Sequence, residues 1–137
     1  AEGLPADVFQ EIVVKPNVKL VNRLRDLGVT VPIIGFPRGA GTVLPSYARQ
    51  VPVTGVALDT AISPEFVIQN LPKTLPIQGH LDPLLLIAGG QAMDDRVREI
   101  LDAYKDRPHI FNLGHGVRPE TPIAHVERVV EILREGH

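Results

Sequence analysis

The sequence predicts an α/β fold built on a parallel sheet, on the strength of three observations. Four short apolar runs of strand length recur along the chain, each run is followed by a helical pattern, and one more amphipathic stretch precedes the first run. A strand regains its direction only through a crossover, so this alternation implies parallel pairing. The 137 residues, 44% hydrophobic and 22% charged, are enough to bury one core, and no low-complexity stretch or long linker divides them. A single domain over residues 1–137 is the expectation.

From Asp7 to Leu27, the residues Phe9, Ile12, Val13, Val18, Val21 and Leu24 fall at three- and four-residue steps, a helical stripe. Pro16 removes an amide donor and clashes with the preceding turn, so it is expected to break or kink this stretch into two helices. Gly28 ends it. The strands are read at 31–36, 55–59, 75–81 and 109–114. Val43–Gln50 is a short helix. Ser63–Leu71 is a stronger one, with Ser63 as N-cap, Pro64 in the first turn and Glu65 favourable to the dipole. Ala92–Tyr104 carries Val97, Ile100, Leu101 and Tyr104 on one face. Pro122–Arg134, capped by Thr121, carries Ile123, Val126, Val130 and Leu133. The order is one helix and then four βα units, which fits either a doubly wound open sheet or part of a (β/α)8 barrel. A complete barrel takes about 250 residues, so this length supplies about half of one.

A net charge of −2 leaves no whole-chain basic field to hold nucleic acid or an anionic membrane, so any anion site is local. With no cysteine there is no disulfide and no thiolate metal ligand, as suits a reducing cytoplasm. Runs such as "LLLIAGG" are too short to span a bilayer, and no basic segment with a following apolar one opens the chain, so a cytosolic protein is expected. The opening "AEGLPADVF" has no methionine, and a partial polypeptide is expected.

In parallel α/β folds the ligand meets the carboxyl ends of the strands. Those positions hold Arg38 after the first strand, Asp59 and Thr60 after the second, Gln78, His80 and Asp82 at the third, and Asn112 and His115 at the fourth. All are expected on one face. The opposite ends carry Val31, Pro32, Pro52, Pro76 and Pro108, which read as strand-entry punctuation. "GFPRGAG" matches neither dinucleotide nor nucleoside-triphosphate spacing and reads as a tight βα turn rather than an anion cradle. Asp59 has two readings, a turn cap or a ligand contact. His80 and Asp82 invite a metal, but a third ligand is missing and no metal is expected. His109, His125 and His137 read as structural or incidental, and Met93 and the tyrosines as packing. His115 stands apart in "FNLGHGVRPETP". Gly114 and Gly116 are expected to permit unusual backbone angles and close ligand approach.

These residues lie within the pieces "IIGFPRGAG", "LDTAISPEF", "QGHLDPLLLIAGG" and "HIFNLGHGVRPETP", which in this order and spacing resemble the uroporphyrinogen decarboxylase family; the last piece is the most specific. The resemblance covers essentially the whole chain but corresponds to the carboxyl-terminal part of a family member. It implies a (β/α)8 barrel, usually a cytoplasmic homodimer, of which this chain supplies about four βα units. It also implies an enzyme of haem and tetrapyrrole biosynthesis, converting uroporphyrinogen III to coproporphyrinogen III by removing four acetate carboxylates, without metal or organic cofactor. The family's cleft histidine falls on His115. Its amino-terminal arginine segment, its pyrrole-binding aspartate and its later tyrosine and serine have no counterparts here. His80 stands where members usually have asparagine.

The substrate carries eight carboxylates, and an imidazole can be a cation near neutral pH beside one of them. His115 is therefore the main substrate-binding candidate, followed by Asp59, Arg38 and Gln78. Two other readings compete. One is a zinc- or corrinoid-type methyltransferase of the same barrel superfamily, disfavoured by "GFPRG" at the first strand end and by the lack of cysteine. The other is a non-catalytic fragment or interaction module, whose open strand edges would drive pairing or aggregation.

Overall fold

The computed structural model describes residue 1 and residues 3–135; His137 lies outside the described residues. The first helical stretch comprises α1 (Ala6–Phe9), one widened turn of π type (Gln10–Val14) and α2 (Lys15–Asp26). At Pro16, where the sequence predicts a break or a kink, the helical path continues but is distorted by the widened turn. The proline sits in the first turn of α2, directly after the widened turn, in which the Lys15 amide reaches back to the Gln10 carbonyl. A widened turn of this kind accommodates a residue that cannot donate. It also resets the buried stripe: Phe9 and Val14, five residues apart, are buried and Val21 follows, while Ile12 is 59% exposed. The helix closes at Gly28 (φ +85), with the Val29 amide bonded to the Leu24 carbonyl and that of Gly28 to Arg25, a Schellman arrangement.

The four strands are β1 (Ile34–Gly35), β2 (Gly55–Ala57), β3 (Ile77–Gln78) and β4 (His109–Ile110), all parallel. They are shorter than the apolar runs. Pro32, Pro52, Pro76 and Pro108 cannot donate to a ladder, and each strand opens one to three residues after its proline. Beyond the regular ladder, single bonds carry on the pairing, as from Leu58 to the Gln78 carbonyl and from Leu81 to that of Asn112. The strand order is β1-β2-β3-β4. A doubly wound sheet reverses order at a switch point, whereas a monotonic run is the arc of a barrel, so the barrel reading stands.

The crossovers contain a 3-10 turn (Gly41–Val43) with α3 (Leu44–Gln50), then α4 (Pro64–Asn70), α5 (Pro83–Ala88), α6 (Gly90–Tyr104) and, after β4, α7 (Ile123–Glu135). Ser63 caps α4 by accepting from the Phe66 amide at 3.2 Å. Helix α5 is absent from the sequence reading. Asp82 caps it, accepting from the Leu84 amide at 2.8 Å, and Gly89 joins it to α6. The core lies between one sheet face and the helices, where Val56, Leu58, Ile77 and Leu81 meet Tyr47, Val67, Met93, Val97, Ile100 and Tyr104. On the other face Ile34, Phe36 and Ile110 remain 41–49% exposed.

Helix α7 is rotated from its expected face. Val129 and Ile132 are buried, whereas Ile123, Val126 and Val130 are exposed. Two polar contacts set this rotation. His125 Nδ1 bonds the Leu86 carbonyl at 2.9 Å with its ring against Gly89, and Arg128 donates twice to one Asp94 oxygen, at 2.9 and 2.7 Å. Positions 125, 128, 129 and 132 share one side of a helix. Thr121 does not cap α7: its hydroxyl is buried and makes no hydrogen bond among the described residues. No described helix is long and apolar enough to cross a membrane.

Candidate functional site

The loops leaving the carboxyl ends of the strands enclose a cleft of about 690 Å³, bordered by Arg38, Asp59, Asp82, His115 and Arg118. Its walls are braced to one another. Asp59 Oδ2 accepts the Gly39 amide of the preceding loop at 2.8 Å, and Oδ1 accepts the Ala61 amide of its own loop at 2.9 Å. The next residue, Thr60, lies against Gly114: a Cβ at Gly114 would stand 2.6 Å from the Thr60 amide nitrogen and 2.7 Å from its Cγ2. Gly114 also donates to the Leu81 carbonyl at 2.9 Å. The loops after β1, β2 and β4 therefore form one rim.

This corrects the expectation of unusual backbone angles at the two glycines. Neither Gly114 nor Gly116 has positive φ. Gly114 is small so that the Asp59–Thr60 backbone can approach it, a packing demand, and both glycines line the cleft. Gly116 has open space around its α-carbon and donates its amide to His115 Nδ1 at 2.7 Å. A ring nitrogen that accepts carries no hydrogen, so the neutral His115 ring holds its hydrogen on Nε2. The side chain is exposed. It borders both the cleft and a neighbouring recess of about 390 Å³ that reaches Phe36, Gln78 and Asn112 on the uncovered sheet face.

The strand-end residues therefore divide into groups. Arg38, Asp59 and His115 share the cleft; Gln78, half-buried on the uncovered sheet face, lines the recess that His115 also borders. The Arg38 guanidinium has no partner among the described residues, whereas both Asp59 oxygens are engaged by backbone amides.

His80 leaves the rim altogether, against the expectation that all these residues share one face. Around Gly79 (φ +128) the chain departs from strand alternation and places His80 in the core, with Nε2 2.8 Å from the Tyr104 hydroxyl and Nδ1 without a partner among the described residues. Burial lowers its pKa to about 4, so it is neutral near pH 7. His109 packs beside Tyr104, ring centroids 4.9 Å apart, and its Nε2–H donates to the Gly79 carbonyl at 2.6 Å; burial lowers its pKa as well. His80 and Asp82 do not converge, since Asp82 caps α5 at the cleft. Among the described residues no three histidine, cysteine, aspartate or glutamate side chains are grouped to hold a metal ion. Sequence reasoning also missed Arg118. The available signal was its position, three residues past His115 in the loop after the last strand.

Fold and site together define a class: a run of βα units from a (β/α)8 barrel, with a cation-bearing cleft at the strand ends. Comparison with known proteins then specifies the family. The chain belongs to the uroporphyrinogen decarboxylase family, whose profile matches residues 1–136. It is 67% identical over 134 residues to the uroporphyrinogen decarboxylase of Hyphomonas neptunium, an alignment covering 98% of this chain and 39% of that protein. It is 50% identical over 135 residues to the enzyme of Maricaulis maris (98% and 39%), and 56% identical over 131 residues to that of Caulobacter vibrioides (96% and 37%). The chain thus spans about two fifths of the length of these curated relatives.

Proposed function

We propose that the full-length protein carrying this segment is a uroporphyrinogen decarboxylase, taking uroporphyrinogen III to coproporphyrinogen III by removing its four acetate carboxylates. The observation that carries this reading is a rim shared by an uncovered imidazole and an unpartnered guanidinium, at the strand ends of a chain of this family. In each round a pyrrole carbon takes a proton, the acetate C–C bond breaks toward the resulting electron sink, carbon dioxide leaves, and a second proton exchange restores the ring. The residues here serve binding. His115 donates its Nε2–H to an acetate or propionate, a role a neutral ring performs as a hydrogen-bond donor. Arg38 supplies charge at the same rim. Gln78 contacts the macrocycle from the recess, and Asp59 offers its remaining lone pairs while holding the loops together. No metal or organic cofactor enters the scheme, and a cytoplasmic homodimer is the proposed setting.

The test is anaerobic turnover of uroporphyrinogen III by the full-length protein, with products oxidised and separated by carboxylate number. The expected series runs stepwise from eight carboxylates to four. His115→Ala is expected to raise KM about tenfold, in line with loss of one charge-assisted hydrogen bond, whereas His115→Gln, which retains an amide donor near Nε2, stays within about threefold. Absence of carbon dioxide release, or stoichiometric bound zinc together with methyl transfer, would overturn the reading.

A further inference from the structure

The cleft contains a second arginine for which the reading above has no use. Arg118 is exposed in the loop after β4 and borders the same 690 Å³ cleft as His115 and Arg38; its carbonyl accepts from the Thr121 amide at 3.0 Å, while its guanidinium makes no hydrogen bond or ion pair among the described residues. Several arginines elsewhere are committed. Arg25 donates to the Val29 and Val31 carbonyls, Arg107 to those of Pro72 and Leu75, and Arg128 to Asp94 and Glu131. The two acids that border the cleft each accept from backbone amides, Asp59 through both oxygens from Gly39 and Ala61 and Asp82 through Oδ1 from Leu84. The cleft therefore offers two guanidinium groups without partners among the described residues and a ring N–H, beside two carboxylates that accept from backbone amides. The cation donors are thus the groups left without protein partners among the described residues, and each can take an anion. The recess on the other side of His115 is bordered by Ile34, Phe36, Ala57 and Leu113, and no aspartate, glutamate, lysine or arginine lines it among the described residues.

We propose that Arg118 is a substrate-binding residue of this site, gripping a peripheral carboxylate of the macrocycle on the outer side of His115 while the apolar ring body faces the recess. The proposal rests on the functional reading above. A planar guanidinium takes a carboxylate through two parallel N–H bonds, whereas an ammonium offers only a point charge. Arg118 does not touch the reacting carbon in this arrangement, so its loss weakens binding and leaves the chemical step intact.

The experiment compares the unmodified full-length protein with its Arg118→Gln and Arg118→Lys variants in two assays. One is turnover of uroporphyrinogen III. The other is equilibrium binding of uroporphyrin, the oxidised fluorescent octacarboxylate, which needs no turnover. Arg118→Gln is expected to raise KM and the uroporphyrin Kd about tenfold with kcat within twofold. It should also flatten the dependence of Kd on salt, because one fewer charge is screened. Arg118→Lys is expected to recover part of the affinity and all of the salt dependence. An Arg118→Gln protein with unchanged KM, Kd and salt dependence overturns the proposal, and so does a fall in kcat at unchanged KM. Failure of the unmodified protein to release carbon dioxide counts against the functional reading instead, and in that case the uroporphyrin Kd of the variants still decides the role of Arg118.

Discussion

Replacing Gly114 by alanine adds one methyl group at the joint of the rim. Its Cβ would stand 2.6 Å from the Thr60 amide nitrogen, 2.7 Å from Thr60 Cγ2 and 3.0 Å from the Asp59 carbonyl carbon. Two of these three contacts are backbone atoms, which cannot swing aside as a side-chain tip can. Reaching an ordinary separation of 3.4 Å requires the two loops to part by about 0.8 Å. Overpacking of this kind typically costs about 1–3 kcal/mol. The displacement falls on the residue next to His115, and a misplacement near 1 Å in a site can cost about a hundredfold in rate. Gly116→Ala is the matched control: nothing lies within 4 Å of its Cβ position, its φ is not positive, and alanine keeps the amide that donates to His115. In the full-length protein, Gly114→Ala is expected to lower the urea midpoint and cut uroporphyrinogen turnover 10- to 100-fold, with Gly116→Ala within twofold on both measures. Equal behaviour of the two variants, whether both intact or both damaged, would refute the reasoning.

Two further predictions concern the framework. Burial holds the His80 pKa at about 4 against an ordinary 6.5, so between those values the unfolded chain binds a proton that the folded one refuses. The contribution is full above pH 6.5 and is lost as pH falls toward 4, a decline of about 3 kcal/mol. Urea unfolding at pH 7, 5.5 and 4.5 measures it, and a His80→Asn variant should show a shallower decline; equal slopes would contradict the assignment. Hydrogen bonds from Arg128 lower the pKa of Asp94, so this pair stabilises the fold above the ordinary aspartate range and weakens as pH drops through the lowered value. Asp94→Asn is expected to reduce the urea midpoint at pH 7 without changing the denaturant slope, and an unchanged midpoint would show that α6 and α7 dock without it.

The order of elements was legible because proline and apolar runs punctuate the chain, and the strands do begin shortly after Pro32, Pro52, Pro76 and Pro108. Other features depend on partners distant in sequence. Helix α5 was hidden because "PLLLIA" is apolar all along and shows no period, although Asp82 and Pro83 mark its start. The face of α7 could not be read from its valines and isoleucines, which populate more than one side; Asp94 and the Leu86 carbonyl, on other helices, select the buried one. At Pro16 the local rule marked a distortion but not its form, a widened turn in a continuous helical path. At the site, the grouping of Arg38, Asp59 and His115 followed from strand-end positions alone. The departure of His80 into the core turns on one glycine's backbone, and the place of Arg118 depends on the path of a loop, neither of which periodicity describes.

Asp59 holds the loop before it and its own, while its neighbour Thr60 abuts Gly114. Such a keystone makes the mouth of the cleft answer to change collectively: an exchange beside Gly39 will be felt at the imidazole without touching it. Substitutions drifting into this ring during divergence should be epistatic, tolerated in matched sets and costly one at a time.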